Sequence, residues 1–211
     1  MSKLLVAGGA IIAALFALPI AAADAPIARV PGVTEQSADP AVKEMFETAR
    51  TRGIKPINLQ LVMALAPALS KPQREEAYAI RFSLQVPRPY RELTILRTVQ
   101  NWDGHYEFNQ HHAMALACGF SEAQIGGLEQ WRTNKLFDAK QRAVLAYVDE
   151  FTKRPGRVSD RTYAELAKYF PPNEIVELSL TAARYMGTAA FTNAIKLQTE
   201  TDGRQAEVGK C

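Results

Sequence analysis

From Asp39 to Ala189 apolar residues return every three or four positions, and no stretch alternates apolar with polar residues between hairpin turns. A strand needs a period of two and a helix one near 3.6, so this pattern restricts the chain to packed helices. The ends of the runs agree. Asp39 followed by Pro40 is a capped helix start, after which Val42, Met45, Phe46 and Ala49 share a face until Gly53. A second run starts at Asn58 and is interrupted by Pro67; a third covers Pro72 to Ser83. Tyr90 to Trp102 lines up Leu93, Leu96 and Val99, and His105 to Cys118 is closed by Gly119. Ser121 with Gln124 and Asp138 with Gln141 have the spacing of capping boxes. Val144, Tyr147, Val148 and Phe151 form an apolar stripe before a turn at Pro155-Gly156, and Ser159 opens a short helix. Pro172 begins a long final helix with Ile175, Leu178, Ala182, Tyr185 and Ala189 facing inward. The expected fold class is all-α, a bundle of about eight helices.

The first residues read differently. Lys3, the apolar run Leu4 to Ile20, and then Ala21, Ala22 and Ala23 before Asp24 have the three parts of a secretory signal. The run is broken by Gly8, Gly9 and Pro19 and is short for a span of ~20 residues, so a cleaved leader is expected over 1–23, and no membrane attachment afterwards. That places the protein in the periplasm or outside the cell. About 188 of the 211 residues remain, enough for a core. They divide into an extended lead-in and first helix (24–57), a helical domain (58–200) and a polar flexible tail (201–211). Formal charge is +3 from 25 basic and 22 acidic residues, with no basic cluster, so nucleic acid is not an expected partner. Cys118 and Cys211 lack CxxC spacing. The favoured reading makes Cys118 a small buried hydrophobe and Cys211 a loose thiol; a disulfide, within one chain or between two, is the alternative in an oxidising compartment.

All the histidines fall in WDGHYEFNQHHAMALACG. At about 100° per residue Glu107 and His111 lie on one helix face, whereas His105 and His112 share another. A carboxylate one turn from an imidazole suits proton transfer. It also occurs on ordinary solvated helices. The adjacent His111 and His112 diverge, and no downstream PCxxC follows, so neither a bound metal nor a cofactor is expected.

From about Asn58 to Glu200 the chain resembles the carboxymuconolactone decarboxylase and alkylhydroperoxidase D (AhpD) superfamily. The resemblance rests on Arg91-Glu92-Leu93-Thr94-Ile95-Leu96-Arg97, on Tyr106-Glu107-Phe108-Asn109-Gln110-His111 with Ala115 and Gly119-Phe120-Ser121, and on Phe170 to Leu178 with Asn193. It implies an AhpD-like helical bundle. In the peroxidase branch a Cys-x-x-Cys-x-x-x-His motif carries the chemistry; matched on His111, its cysteines fall on Gly104 and Glu107, its tyrosine on Tyr106 and its distant glutamate on Glu92. Without either sulfur, the thiol route is excluded.

The decarboxylase branch has a glutamate four residues before the histidine, as here. It implies a cofactor-independent lyase in which His111 donates a proton, Glu107 orients it or exchanges protons with it, Glu92 brings a second carboxyl into the pocket, and Tyr106 donates a hydrogen bond. The implied substrate is a small organic acid, lactone or related carbonyl compound, met outside the cytoplasm. The alternative is a non-catalytic helical binding or assembly protein that keeps the fold without its thiols. The resemblance also implies a homo-oligomer, a trimer or hexamer.

Overall fold

A computed structural model of the chain describes residues 26–154 and 156–211; the expected leader over 1–23 and Pro155 of the expected turn lie outside the described residues. Those residues form nine helices and no strand: α1 Pro40–Thr51, α2 Asn58–Met63, α3 Pro67–Phe82, α4 Arg88–Asn101, α5 His105–Ala117, α6 Glu122–Gly126, α7 Ala139–Lys153, α8 Asp160–Ala167 and α9 Pro172–Ala194. The capping signals act as their chemistry requires. Asp39 accepts from the Ala41 and Val42 amides, Ser121 from Gln124, and Asp138 from Gln141. Pro67 differs from its expected role: it opens α3 in the first turn, where its fixed φ suits the helix, and α3 runs on through Pro72.

Central α4 packs against α5, α7 and α9. Surrounded on several sides, it buries polar as well as apolar residues, Arg88, Arg91, Glu92 and Arg97 among them. Leu93 and Leu96 meet Val144, Leu145 and Val148 of α7 and Leu178 of α9; Ile95 and Val99 meet Tyr185 and Ala189. Asp149, 2% exposed, ties α7 to its surroundings by accepting from Arg97 Nε (2.6 Å), Asn101, Trp131 Nε1 and Arg132. The lead-in is held along the chain after α9, with Arg29 N donating to Ile195 O and Gln198 N to Ile27 O.

The C-terminal residues correct two readings. Cys211 is joined to Cys118 by a disulfide with a Cα–Cα distance of 5.0 Å, so neither is a free thiol. The segment 201–211, expected to be loose, is anchored along its length: Arg204 Nη2 donates to Asn58 Oδ1 (3.1 Å), Ala206 N to Gln110 Oε1 (2.8 Å), and Arg88 Nη1 to Lys210 O (2.8 Å). Closing a loop of 93 residues restricts the unfolded chain by about 4–5 kcal/mol in the loop-entropy treatment, and in the folded protein the covalent tie fastens the end of this polar segment beside α5.

Candidate active site

The α4–α5 hairpin sets the site. Asp103 takes a left-handed conformation (φ 52°) in the turn, and Gly104 caps α5 against α9. A Cβ at Gly104 would lie 2.8 Å from Ala189 Cβ and 3.1 Å from Val99 Cβ, so the close approach of these helices requires glycine there. With α5 seated, Glu107, Gln110, His111 and Met114 form its buried face. His105 is exposed, and His112 pairs with Glu122 (2.8 Å) on the outside, so His111 alone of the three enters the site.

His111 is held between two carboxyl groups. Its Nδ1 lies 2.8 Å from Glu92 Oε2, and its Nε2 lies 3.9 Å from Glu107 Oε2. Burial would raise the Glu92 carboxyl, but the His111 ring and the Arg88 guanidinium, whose Nε is 3.1 Å from Glu92 Oε1, outweigh it and hold Glu92 below the ordinary carboxylate range. An ionised Glu92 only accepts, so Nδ1 carries the proton and Nε2 is turned toward Glu107. Glu107 is in the opposite state: burial pushes its carboxyl up, against the pull of His111, Arg184 and Arg81. Its Oε1 is buried with no hydrogen-bond partner among the described residues. Two glutamates of one site are thus driven apart, Glu92 toward the ionised form and Glu107 toward the protonated one.

Glu107 and His111 line a common cavity of about 130 Å³ with Gln110 and Tyr185, whose ring meets His111 edge-on at 4.9 Å. Burial, then the nearby Glu107 and Glu92, push the Tyr185 hydroxyl up, so it stays a donor. Arg52, Lys55, Arg74, Arg81 and Arg184 line the same cavity and give it a cationic rim. Arg52, Arg74 and Arg81 continue into an adjoining groove of about 350 Å³.

Two expected roles are corrected. Glu92 does not present a carboxyl to the cavity; it is fully buried behind the ring and holds it, one of the two roles expected of Glu107. Tyr106 does not donate into the pocket. Its hydroxyl donates to Glu200 (2.7 Å) and accepts from Leu59 N (3.2 Å), joining α5 to the chain after α9. Tyr185, Arg81 and Arg184 were missed as site residues. Tyr185 stood in the apolar row of α9, and nothing local to the arginines signals that α3 and α9 aim them at α5.

The depressed Glu92 carboxyl gives a pH expectation. Its ion pairing stabilises the fold fully above the ordinary carboxylate range, and the contribution is lost as pH falls through the lowered folded value. The stability gap between the protein and Glu92→Gln, read by urea titration at several pH values, is therefore expected to be widest near neutrality and to shrink below about pH 4. A gap that widens in acid contradicts the assignment.

The same architecture occurs in solved structures. A protein from Ralstonia eutropha JMP134, described as an AhpD core and an uncharacterized peroxidase-related protein, superposes with a TM-score of 0.73 at 15% identity over 84% of this chain and 95% of that one. The chain has the AhpD-like fold. A peroxidase-related protein from Silicibacter sp. TM1040 matches with a TM-score of 0.69 at 16% identity, covering 82% of this chain and 95% of the other. The debrominase Bmp8 matches with 0.66 at 16% identity, covering 83% and 92%. No family sequence model matches the chain, and comparison with curated proteins finds no match. Within this AhpD-like fold the two motif-cysteine positions hold Gly104, where no side chain fits, and the buried Glu107. The two cysteines, Cys118 and Cys211, are bonded to each other.

Proposed function

We propose that this protein is an exported, cofactor-independent enzyme that moves a proton on a small carboxylated or lactone substrate, most simply as a carbon–carbon lyase releasing carbon dioxide. The observation that carries the reading is the buried Glu107 carboxyl, one oxygen of it without a hydrogen-bond partner among the described residues, beside Nε2 of an imidazole fixed from behind by Glu92. A decarboxylation leaves the electron pair of the broken bond on carbon as an enolate, which needs a proton at carbon and a donor at oxygen. In this reading Glu107 supplies the proton and the Tyr185 hydroxyl serves as the donor; His111, its Nδ1–H held by Glu92, takes up a solvent proton at Nε2 to become imidazolium and passes that proton to the Glu107 carboxylate. The arginine rim favours an anionic guest over a neutral one. A second structure of the debrominase, in complex with 2,3,4-tribromopyrrole, supports the use of such a fold for a small organic ligand.

Export is part of the proposal and draws support from the disulfide, which persists in oxidising compartments. So is self-association: Val176, Leu180, Ala183 and Gly187 repeat on the exposed side of α9, beside exposed Leu65 and Leu69, and small residues there permit close helix approach. Light scattering is expected to give more than one chain per particle, and Leu180→Glu to reduce it; a monomer in both removes this part.

The test of the activity is incubation with 4-carboxymuconolactone and a panel of small carboxylated lactones and 2-oxo acids in heavy water. Release of carbon dioxide with solvent deuterium at the product carbon is the expected result. If no compound of the panel is turned over or exchanges, while one binds, the protein is a binder.

A further inference from the structure

The last residues run across the cavity. Gln205, Ala206 and Glu207 line it together with Glu107 and His111. Ala206 is bonded to Gln110, next to His111 on α5. Beyond it, Arg88, 3% exposed, donates to the carbonyls of Val208 and Lys210 while its Nε holds Glu92 at 3.1 Å. Gly209 sits between, at φ 63°, where a would-be Cβ would collide with Phe82 Cε1 and lie 3.2 Å from Arg88 Nη1. A side chain there would both strain the backbone and meet Phe82, so the segment is fitted to its seat. Cys211 then fastens the end to Cys118 at the far end of α5.

One guanidinium therefore joins the strap to the imidazole. It grips two strap carbonyls and Glu92, and the other oxygen of Glu92 grips His111 Nδ1. The cavity of about 130 Å³ is small beside the ~300–1,000 Å³ usual for ligand sites, and the strap is one of its walls. The half-exposed Glu207 lies 3.7 Å from Arg52 on the cationic rim, where an anionic guest would have to displace it.

We infer that residues 204–211 are a removable wall of the active site, that Arg88 is a positioning residue through which the docked strap sets His111, and that the Cys118–Cys211 disulfide decides whether the wall is in place. Reduction by a dithiol passes two electrons and two protons to the sulfur pair, giving two thiols here and a disulfide on the reductant. The strap then has only its hydrogen bonds and the exposed Glu207–Arg52 ion pair. The pocket opens toward the arginines, and Arg88 loses the carbonyls that fix its orientation. This rests on His111 belonging to a functional site, as proposed above.

The test needs no substrate. Labelling of His111 by diethyl pyrocarbonate is followed by mass spectrometry, with His105 and His112 as references in the same molecule. Oxidised protein is compared with dithiothreitol-reduced protein, Cys211→Ser and Gly209→Val, with circular dichroism reporting that the helices persist. His111 labelling is expected to rise roughly tenfold against His105 in all three, as a local opening would produce. The Nδ1–H proton resonance of His111 is expected to shift in those samples and in Arg88→Met, a signature that a strap serving stability alone would not move. Unchanged labelling or an unmoved resonance in folded Gly209→Val overturns the inference, whatever the enzyme assays show. Faster labelling without turnover of any acid retains the strap and removes the catalytic reading.

Discussion

Asp149→Ala is expected to lower the stability of the protein by about 3–5 kcal/mol, because it strips the partner from a buried charge. Asp149 and Arg97 are 2% and 5% exposed and meet at 2.6 Å, and the carboxylate also collects Asn101, Trp131 and Arg132. Burial alone would raise this carboxyl; its hydrogen bonds from Arg97 and Asn101 and the charges of Arg97 and Lys153 hold it below the ordinary range. Removing it leaves the Arg97 guanidinium inside the bundle with only Gln100 Oε1 and the Leu128 carbonyl to receive it. At a urea slope of about 2 kcal/mol/M the midpoint should fall by roughly 2 M. Asp149 is absent from the cavity beside His111, so protein that remains folded should keep its site intact. A loss below about 1 kcal/mol would mean the cluster is far more hydrated than its geometry indicates.

That cluster shows where sequence reasoning stops. Asp149 stands beside Glu150, between Val148 and Phe151 of the apolar stripe and near Lys153 and Arg154, and from its neighbours alone it reads as part of a solvated helix end. Its burial is decided by α4, some 52 residues away at Arg97. What was legible is what neighbours along the chain determine. Asp39, Ser121 and Asp138 cap the helices that their spacing marks, and Gly119 takes the left-handed turn at the end of α5. Glu107 and His111 share a face because helical geometry allows nothing else at that spacing.

The roles within the site were not legible in the same way. Spacing puts Glu107 one turn from His111, where it can orient the imidazole or exchange protons with it. Helix packing brings Glu92 of α4 closer, at 2.8 Å against 3.9 Å, so that Glu92 holds the ring and Glu107 is left the proton-exchange option. The strap escaped for a related reason. A polar segment with glycine and lysine has no apolar face to bury, and its ties are backbone carbonyls, a glutamine and a distant cysteine, none of which leaves a periodic trace.

The largest functional effect is expected at Glu107. Glu107→Gln keeps the shape of the side chain and removes its transferable proton, and the rate is expected to fall by about 10²–10⁴-fold. His111→Ala should fall as far, but it also opens a void beside Tyr185 and leaves Glu92 without its imidazole, so its loss mixes chemistry with packing. The glutamine variant separates them, because the raised Glu107 carboxyl is a liability to the fold. Below the ordinary carboxylate range it costs nothing; as pH rises through the raised folded value, the unfolded state gains relative to the native one and stability drains away. Glu107→Gln has no such proton to lose. Its melting temperature should equal or exceed that of the natural chain, with the advantage growing as pH rises from the ordinary carboxylate range toward the raised value. The unmodified enzyme should lose activity over the upper part of that interval as its acid ionises. A group that improves the fold when neutralised yet abolishes turnover is retained for its chemistry. Undiminished turnover in Glu107→Gln, or an equal loss of stability and rate, would assign Glu107 to structure and leave the proton donor elsewhere.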